Sequence, residues 1–384
     1  MAGSSPSSGR AQEQRGDPLP SVIDTSVHHD WSQQEEIAAY LPRAWRELVE
    51  QVSHVPGRES MLRLLDVDVP FRNPNGAVHA GEAPGAKGIT DPEQLKGRDL
   101  AGSVLAYGGA AGISLHGDTA LGVAVCAAMN DWTADRWLGA DDKTWGSIIV
   151  PTQLPLEAAK EIRRHGSNLR MAQILIAGNG LGEPFGHPLY HDIYRAAAEY
   201  ELPIAIPIGT EASAFSKTFQ TAVAPPATYT EYRILAVQAF MTHVISLVGQ
   251  GVFEEFPRLK IMLVGGGIGW VPSTFWRHDA CYQGFGTTAP WVRRRPSEYF
   301  REHFRLSTYQ LESPEAVLAT SESFPGIEDM LCFASGFPRS DSQTVEQVLA
   351  LVPADWAAKV TSENALAFYG DRISSRALAG GGAQ

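Results

Sequence analysis

Short apolar runs, each stopped by a polar or glycine-rich turn, alternate along this chain with longer stretches whose apolar residues recur at helical spacing. Strands are expected at residues 21–30, 146–151, 171–176, 202–208, 260–264, 304–308 and 330–334, with weaker strand character at 103–107 and 112–115. Helices are expected at 32–50, interrupted by Pro42, and at 120–138, 156–165, 191–200, 230–256, 271–281 and 314–322, followed by two closing helices. The strand-like runs carry almost no charge, which suits strands buried on both faces in a parallel sheet covered by helices. Around eight such units in a chain of this length fit a closed (β/α)8 TIM barrel better than an open sheet.

The alternation lapses in four places. Residues 1–20 are dominated by Ser, Gly, Pro, Gln and Arg, with almost nothing to bury, and read as a disordered tail; residues 373–384 read as a flexible one. The span between them, 21–372, reads as one domain. A loop-rich insertion at 56–98 follows the first strand–helix unit, and a shorter one at 282–298 lies near the barrel mouth. For the first, a lid over a site and a surface packed on a neighbouring subunit are both open; the second would close the site or a dimer interface, or carry a solvated basic run at Arg293-Arg294-Arg295.

Composition narrows function more than fold. With 384 residues, 44% of them hydrophobic and 19% charged, the chain can bury one large α/β core. Its 31 basic and 43 acidic residues leave a net charge of −12, which argues against a nucleic-acid or anionic-membrane partner. Cys126, Cys281 and Cys332 are too dispersed for a disulfide framework or a zinc knuckle, so a reducing cytoplasm is the expected compartment. No apolar stretch reads as approaching the roughly 20 residues that span a bilayer, and the N-terminus lacks a signal pattern. Gly265-Gly266-Gly267 follows a strand but lacks the dinucleotide-binding pattern.

The candidate chemistry gathers where strands end. Leu331-Cys332-Phe333-Ala334-Ser335 is an apolar run stopped by Gly336-Phe337-Pro338 and followed by Arg339 and Asp341. In a parallel barrel such residues face the active-site mouth. His28, His29 and Asp30 end the first strand in the same way, and Glu211 and His243 are further titratable candidates. Histidine is poised near neutrality and a carboxylate can tune it, so His28, His243 and Asp341 are the candidate acid/base residues. Arg339 and Arg277 would grip a substrate carboxylate or phenolate, and Trp31, Trp270 and Phe337 would wall a planar ligand. Plainer readings stand beside these: His28 and His243 as buried hydrogen-bonded histidines, His191 as structural, Arg277 paired with Asp279, Asp24 tying the barrel floor, and Asn130-Asp131-Trp132 anchoring a helix.

Several stretches together resemble the amidohydrolase-related family, in the branch that holds aminocarboxymuconate-semialdehyde decarboxylase and related aromatic decarboxylases. They are Val22-Ile23-Asp24 leading to His28, Asn130-Asp131-Trp132, Tyr190 through Ala198 followed by Leu202-Pro203-Ile204-Ala205-Ile206, and His243 ahead of Gly251 through Lys260. Trp276-Arg277-His278-Asp279, Pro296 through His303 and the Leu331–Asp341 stretch complete the likeness, which covers residues 22–370. The resemblance implies a TIM barrel with one divalent metal, usually zinc, at the strand ends. The family's paired first-strand ligands fall on Ser26 and His28, its fifth-strand histidine on Pro207, a further histidine on His243, and its eighth-strand aspartate on Gly336.

Two imidazoles without a carboxylate leave a divalent ion undercoordinated, so the expectation is a degenerate metal site and no cofactor, or zinc or another divalent metal if ligands have moved. The expected activity is metal-independent lyase (decarboxylase-type) or hydrolase chemistry on a small carboxylated or aromatic metabolite. His28 or His243 would act as base, and Arg339, with Trp31, His29, Glu211, Arg277 and Phe337, would bind the substrate. A ring-forming condensation of specialised metabolism and a non-catalytic barrel that binds a partner are the alternatives. The expected assembly is a homodimer.

Overall fold

Eight apolar runs become strands: β1 Ile23–His29, β2 Gly102–Tyr107, β3 Thr144–Ile149, β4 Met171–Leu175, β5 Ile204–Pro207, β6 Ile261–Val264, β7 Phe304–Ser307 and β8 Leu331–Cys332. The computed structural model describes residues 21–53, 88–176, 181–208, 227–339 and 341–373. Every neighbouring pair is parallel, in chain order from β1 to β8. The extended chain beyond β8 returns to β1 through Thr25 N–H to Phe333 O at 2.9 Å, Gly336 N–H to Ser26 O at 3.1 Å and His28 N–H to Phe337 O at 2.8 Å. These bonds bring the sheet round on itself as the expected (β/α)8 barrel.

Thirteen α-helices clothe the described strands: α1 Glu35–Ala38, α2 Arg43–Ser53, α3 Thr119–Trp132, α4 Pro155–His165, α5 His191–Glu199, α6 Tyr229–Leu235, α7 Val237–Gly249, α8 Val252–Glu255, α9 Val271–Phe285, α10 Pro296–His303, α11 Pro314–Ser323, α12 Val345–Leu349 and α13 Asn364–Tyr369. The helix expected at 32–50 is split around Pro42, which cannot supply a helical N–H. The one expected at 230–256 is three: it breaks at Ala236, between α6 and α7, and again where Gly251 takes φ +75° at the turn after α7. A side chain there would also meet the Trp291 ring at 2.6 Å.

By length and composition the run Tyr229–Gly249 could cross a bilayer, which corrects the expectation that no stretch approaches that length. In the barrel its Phe240, Val244, Leu247 and Val248 form one helical face, buried in the core. The N-terminal end of the barrel is closed by the chain's last described turn. There the Arg372 guanidinium donates to the carbonyls of Asn168, Met171, Gly166 and Tyr200 at 3.2, 2.8, 2.9 and 2.6 Å. That leaves the opposite end, where the strands stop, as the mouth. Of the expected insertion at 56–98, residues 54–87 lie outside the described residues; from 88 onward it bridges back to β1 through Ile89 and His29.

Candidate active site at the barrel mouth

Neighbouring residues on a strand point to opposite faces, so His28 and His29 part company. His28 is fixed at the end of β1 by its backbone, donating to Phe337 O and accepting from Ile89 N–H, each at 2.8 Å. Its Nδ1 is buried without a hydrogen-bond partner, as is Ser26 Oγ just before it. Gly108 leaves room for the ring, since a Cβ there would lie 3.2 Å from Nδ1. Burial, then the Arg339 and His29 charges, bring the His28 pKa down to about 3, against a smaller opposing pull from Asp341. At neutral pH His28 is therefore an uncharged hydrogen-bonding group.

Beside it lies a charged cluster drawn from three elements. Tyr309, just past β7, donates its hydroxyl to Asp341 Oδ1 at 2.6 Å. Arg233 of α6 pairs with Asp341 Oδ2 at 2.9 Å, and Arg339 Nε faces Asp341 Oδ1 at 3.5 Å. Burial alone would raise the Asp341 pKa, but the Tyr309 hydrogen bond and both guanidiniums hold it below the usual carboxylate range. Asp341 is thus an ionised counter-ion, not a proton donor at neutral pH. Gly336 carries φ +68°, and a Cβ there would stand 2.7 Å from the Tyr309 ring. The space a side chain at 336 would need is filled by Tyr309.

The loop bearing these residues is tied to the barrel floor by Asp24. Its Oδ1 accepts from Ser335 N–H at 3.0 Å and Ser26 N–H at 3.2 Å, and its Oδ2 from Ser335 Oγ at 2.5 Å and Arg98 at 3.2 Å. The Arg98 guanidinium also lies 4.5 Å over the Phe337 ring. Asp24 is therefore a fastener between β1 and the segment after β8.

Other expected site residues stand elsewhere. His29 is buried in the outer core, its Nδ1 2.9 Å from Ala106 O and its Nε2 2.8 Å from Thr133 Oγ1, stacked on Trp132. It has no face turned to substrate. Trp31 is fully buried and meets Trp132 edge-on, so it is core rather than pocket wall. His243 lies on α7 in the helical layer, where Nδ1 accepts Phe185 N–H at 3.2 Å and the ring packs on Phe185; it serves the connection after β4 and is not placed in the His28 cluster. Arg277 is exposed on α9, and Asp279, its expected partner, instead holds Ser297 at 2.6 and 2.9 Å. Phe337 is half-buried under Arg98, whereas Glu211 lies outside the described residues. Asn130 anchors α3 to β3 through Ile149, and His191 faces Glu255 at 3.1 Å, both structural. Arg233 and Tyr309 escaped the sequence reading. Arg233 is one charged residue within a helix pattern, but Tyr309 stands two residues past a strand, the position that singled out other candidates.

The amidohydrolase family model matches residues 29–370. Gamma-resorcylate decarboxylase from Polaromonas sp. is 27% identical over 190 residues, covering 47% of this chain and 56% of the relative. The chain spans about half the length of the curated relatives it matches. 2,6-Dihydroxybenzoate decarboxylase from Rhizobium superposes with a TM-score of 0.59 at 15% identity, over 91% of this chain and 99% of that one. 5-Carboxyvanillate decarboxylase from Novosphingobium aromaticivorans, solved with manganese and 4-hydroxy-3-methoxy-5-nitrobenzoic acid, gives 0.60 at 17% identity over 91% and 96%. The structural likeness at these identities concerns the fold.

The manganese in such neighbours overturns the expectation that no cofactor belongs to this site: a divalent metal is what the relationship brings. The donors in place fit it poorly. Among the described residues no three His, Cys, Asp or Glu side chains gather to hold an ion. Only His28 Nδ1 and Ser26 Oγ stand buried and unpartnered at the end of β1, while Pro207 and Gly336 offer no side-chain donor.

Proposed function

This chain belongs to the amidohydrolase family, and on that premise we propose that it is a decarboxylase-type lyase whose substrate is a small aromatic carboxylate held at the barrel mouth. The observation that carries the reading is the convergence of Arg233 and Arg339 on one carboxylate beside His28, whose Nδ1 is unpartnered. The names of the relatives, gamma-resorcylate and 2,6-dihydroxybenzoate decarboxylase, support this substrate class.

Arg339 provides a planar donor for the substrate carboxylate, and His28 Nδ1 provides an acceptor for a ring hydroxyl. Holding both groups fixes the plane of the ring. As the C–C bond to the carboxylate breaks and carbon dioxide leaves, the electron pair stays on the ring carbon and takes up a proton from solvent water. His28 orients the ring hydroxyl and, being uncharged, adds no cation that would hold the carboxylate back. Asp341 keeps Arg233 and Arg339 together without taking or giving a proton.

The test is carbon dioxide release by the purified chain, supplied with manganese, from a panel of hydroxybenzoates. Arg339→Met and His28→Asn should each lower kcat/KM by about 100-fold with the fold unchanged by circular dichroism. Release that no panel member elicits, or that both variants retain, would sink the proposal.

A further inference from the structure

Among the described residues, the three charged groups of the Asp341 cluster do not cancel. Arg233 and Arg339 both close on Asp341, and Tyr309 spends its hydroxyl proton on the same carboxylate. The cluster therefore holds one positive charge in excess, with Arg339 Nε buried and without a hydrogen bond. Arg339 meets Asp341 through Nε, at 3.5 Å, which leaves its terminal nitrogens as a receptor for one further carboxylate and not two.

We propose that Asp341 is a specificity-determining residue that selects substrates by charge, acting as the enzyme's own first carboxylate so that the mouth accepts a monoanion and disfavours a dianion. The inference rests on the mouth being an aromatic-carboxylate site and adds the rule by which it discriminates. Asp341 does so without touching the reacting carbon: it neutralises one guanidinium and leaves the other's charge to the substrate. A second substrate carboxylate would meet Asp341 across the same pair of arginines. At such separations, in a partly dried mouth, like charges disfavour each other strongly.

The full chain, with manganese supplied, is titrated calorimetrically at neutral pH with benzoate and with benzene-1,3-dicarboxylate, which differ by one carboxylate. Wild-type protein should prefer benzoate. Asp341→Asn should move the affinity ratio towards the dicarboxylate by about tenfold or more, because two guanidiniums then lack a counter-ion. Arg233→Met should weaken benzoate by about tenfold, and the double variant, with one excess charge again, should return to the wild-type preference. Asp341→Glu, which keeps the charge, should keep that preference.

A ratio that Asp341→Asn leaves within about twofold of wild type, or a double variant that behaves like Asp341→Asn alone, overturns the charge rule while leaving the site intact. Should Asp341→Asn fail to fold, unchanged benzoate affinity in Arg233→Met overturns it equally. Wild-type protein that binds neither acid refutes the aromatic-carboxylate reading itself, and the inference with it.

Discussion

Gly336 shows how much a single position decides. Its φ of +68° is costly for any residue with a Cβ, and that Cβ would press on the Tyr309 ring. Gly336→Ala should cost about 2 kcal/mol in urea unfolding. Tyr309→Ala in the same background should recover part of that loss, because it removes the clash and leaves only the strained backbone. His28 makes a prediction about pH. Its folded pKa of about 3 lies below the ordinary 6.5, so as pH falls below 6.5 the unfolded chain takes up the proton first and stability drops. The contribution is complete above pH 6.5 and lost towards pH 3. Between these limits His28→Asn should flatten the stability-versus-pH slope by about 1.4 kcal/mol per unit, read as the difference from wild type in urea midpoints. An unaltered slope would mean that the ring is hydrated.

Among elements, the seam between β1 and the segment after β8 carries the site. Strand β8 has only two residues, so the carboxylate of Asp24 does what a longer ladder would do, drawing Ser335, Ser26 and Arg98 to one point. Asp24→Asn keeps the shape but replaces acceptor oxygen by donor nitrogen against Ser335 and leaves Arg98 without its anion. We expect a loss of about 2–3 kcal/mol in stability and a weakened grip on aromatic carboxylates, because Phe337 and Arg339 ride on that segment. A variant destabilised to this extent with undiminished affinity would show that the seam does not position Arg339. Strand β1 was legible because its β-branched run ends in polar residues, and the break at Pro42 because proline lacks an N–H. The division after α7 was not: Gly251 looks like any glycine until Trp291 is placed over it.

At the scale of the whole molecule, the barrel separates stability from chemistry by end. Arg372 stitches the closed end to four carbonyls, far from the mouth in function. Arg372→Ala should lower stability by about 3 kcal/mol or more, because each lost charge-assisted bond leaves a carbonyl short of its donor. KM for an aromatic carboxylate should stay within about twofold of wild type. A raised KM in folded protein would show the two ends to be coupled.

The sequence by itself determined the architecture, because strand and helix periods and the stopping residues are local and repeat often enough to count a barrel. It also marked His28, Arg339 and the replacement of a usual ligand by Gly336. Tertiary structure alone decided which polar residues meet. One step along β1 sends His28 to the mouth and His29 into a cage of aromatic rings, and a helical histidine, His243, goes to the backbone amide of Phe185 instead of the His28 cluster. Arg233 and Tyr309 lie 108 and 32 residues from Asp341 in the chain, yet both close on its carboxylate. Side-chain meetings of that kind depend on how distant elements wind round a common axis, and local pattern carries no record of them.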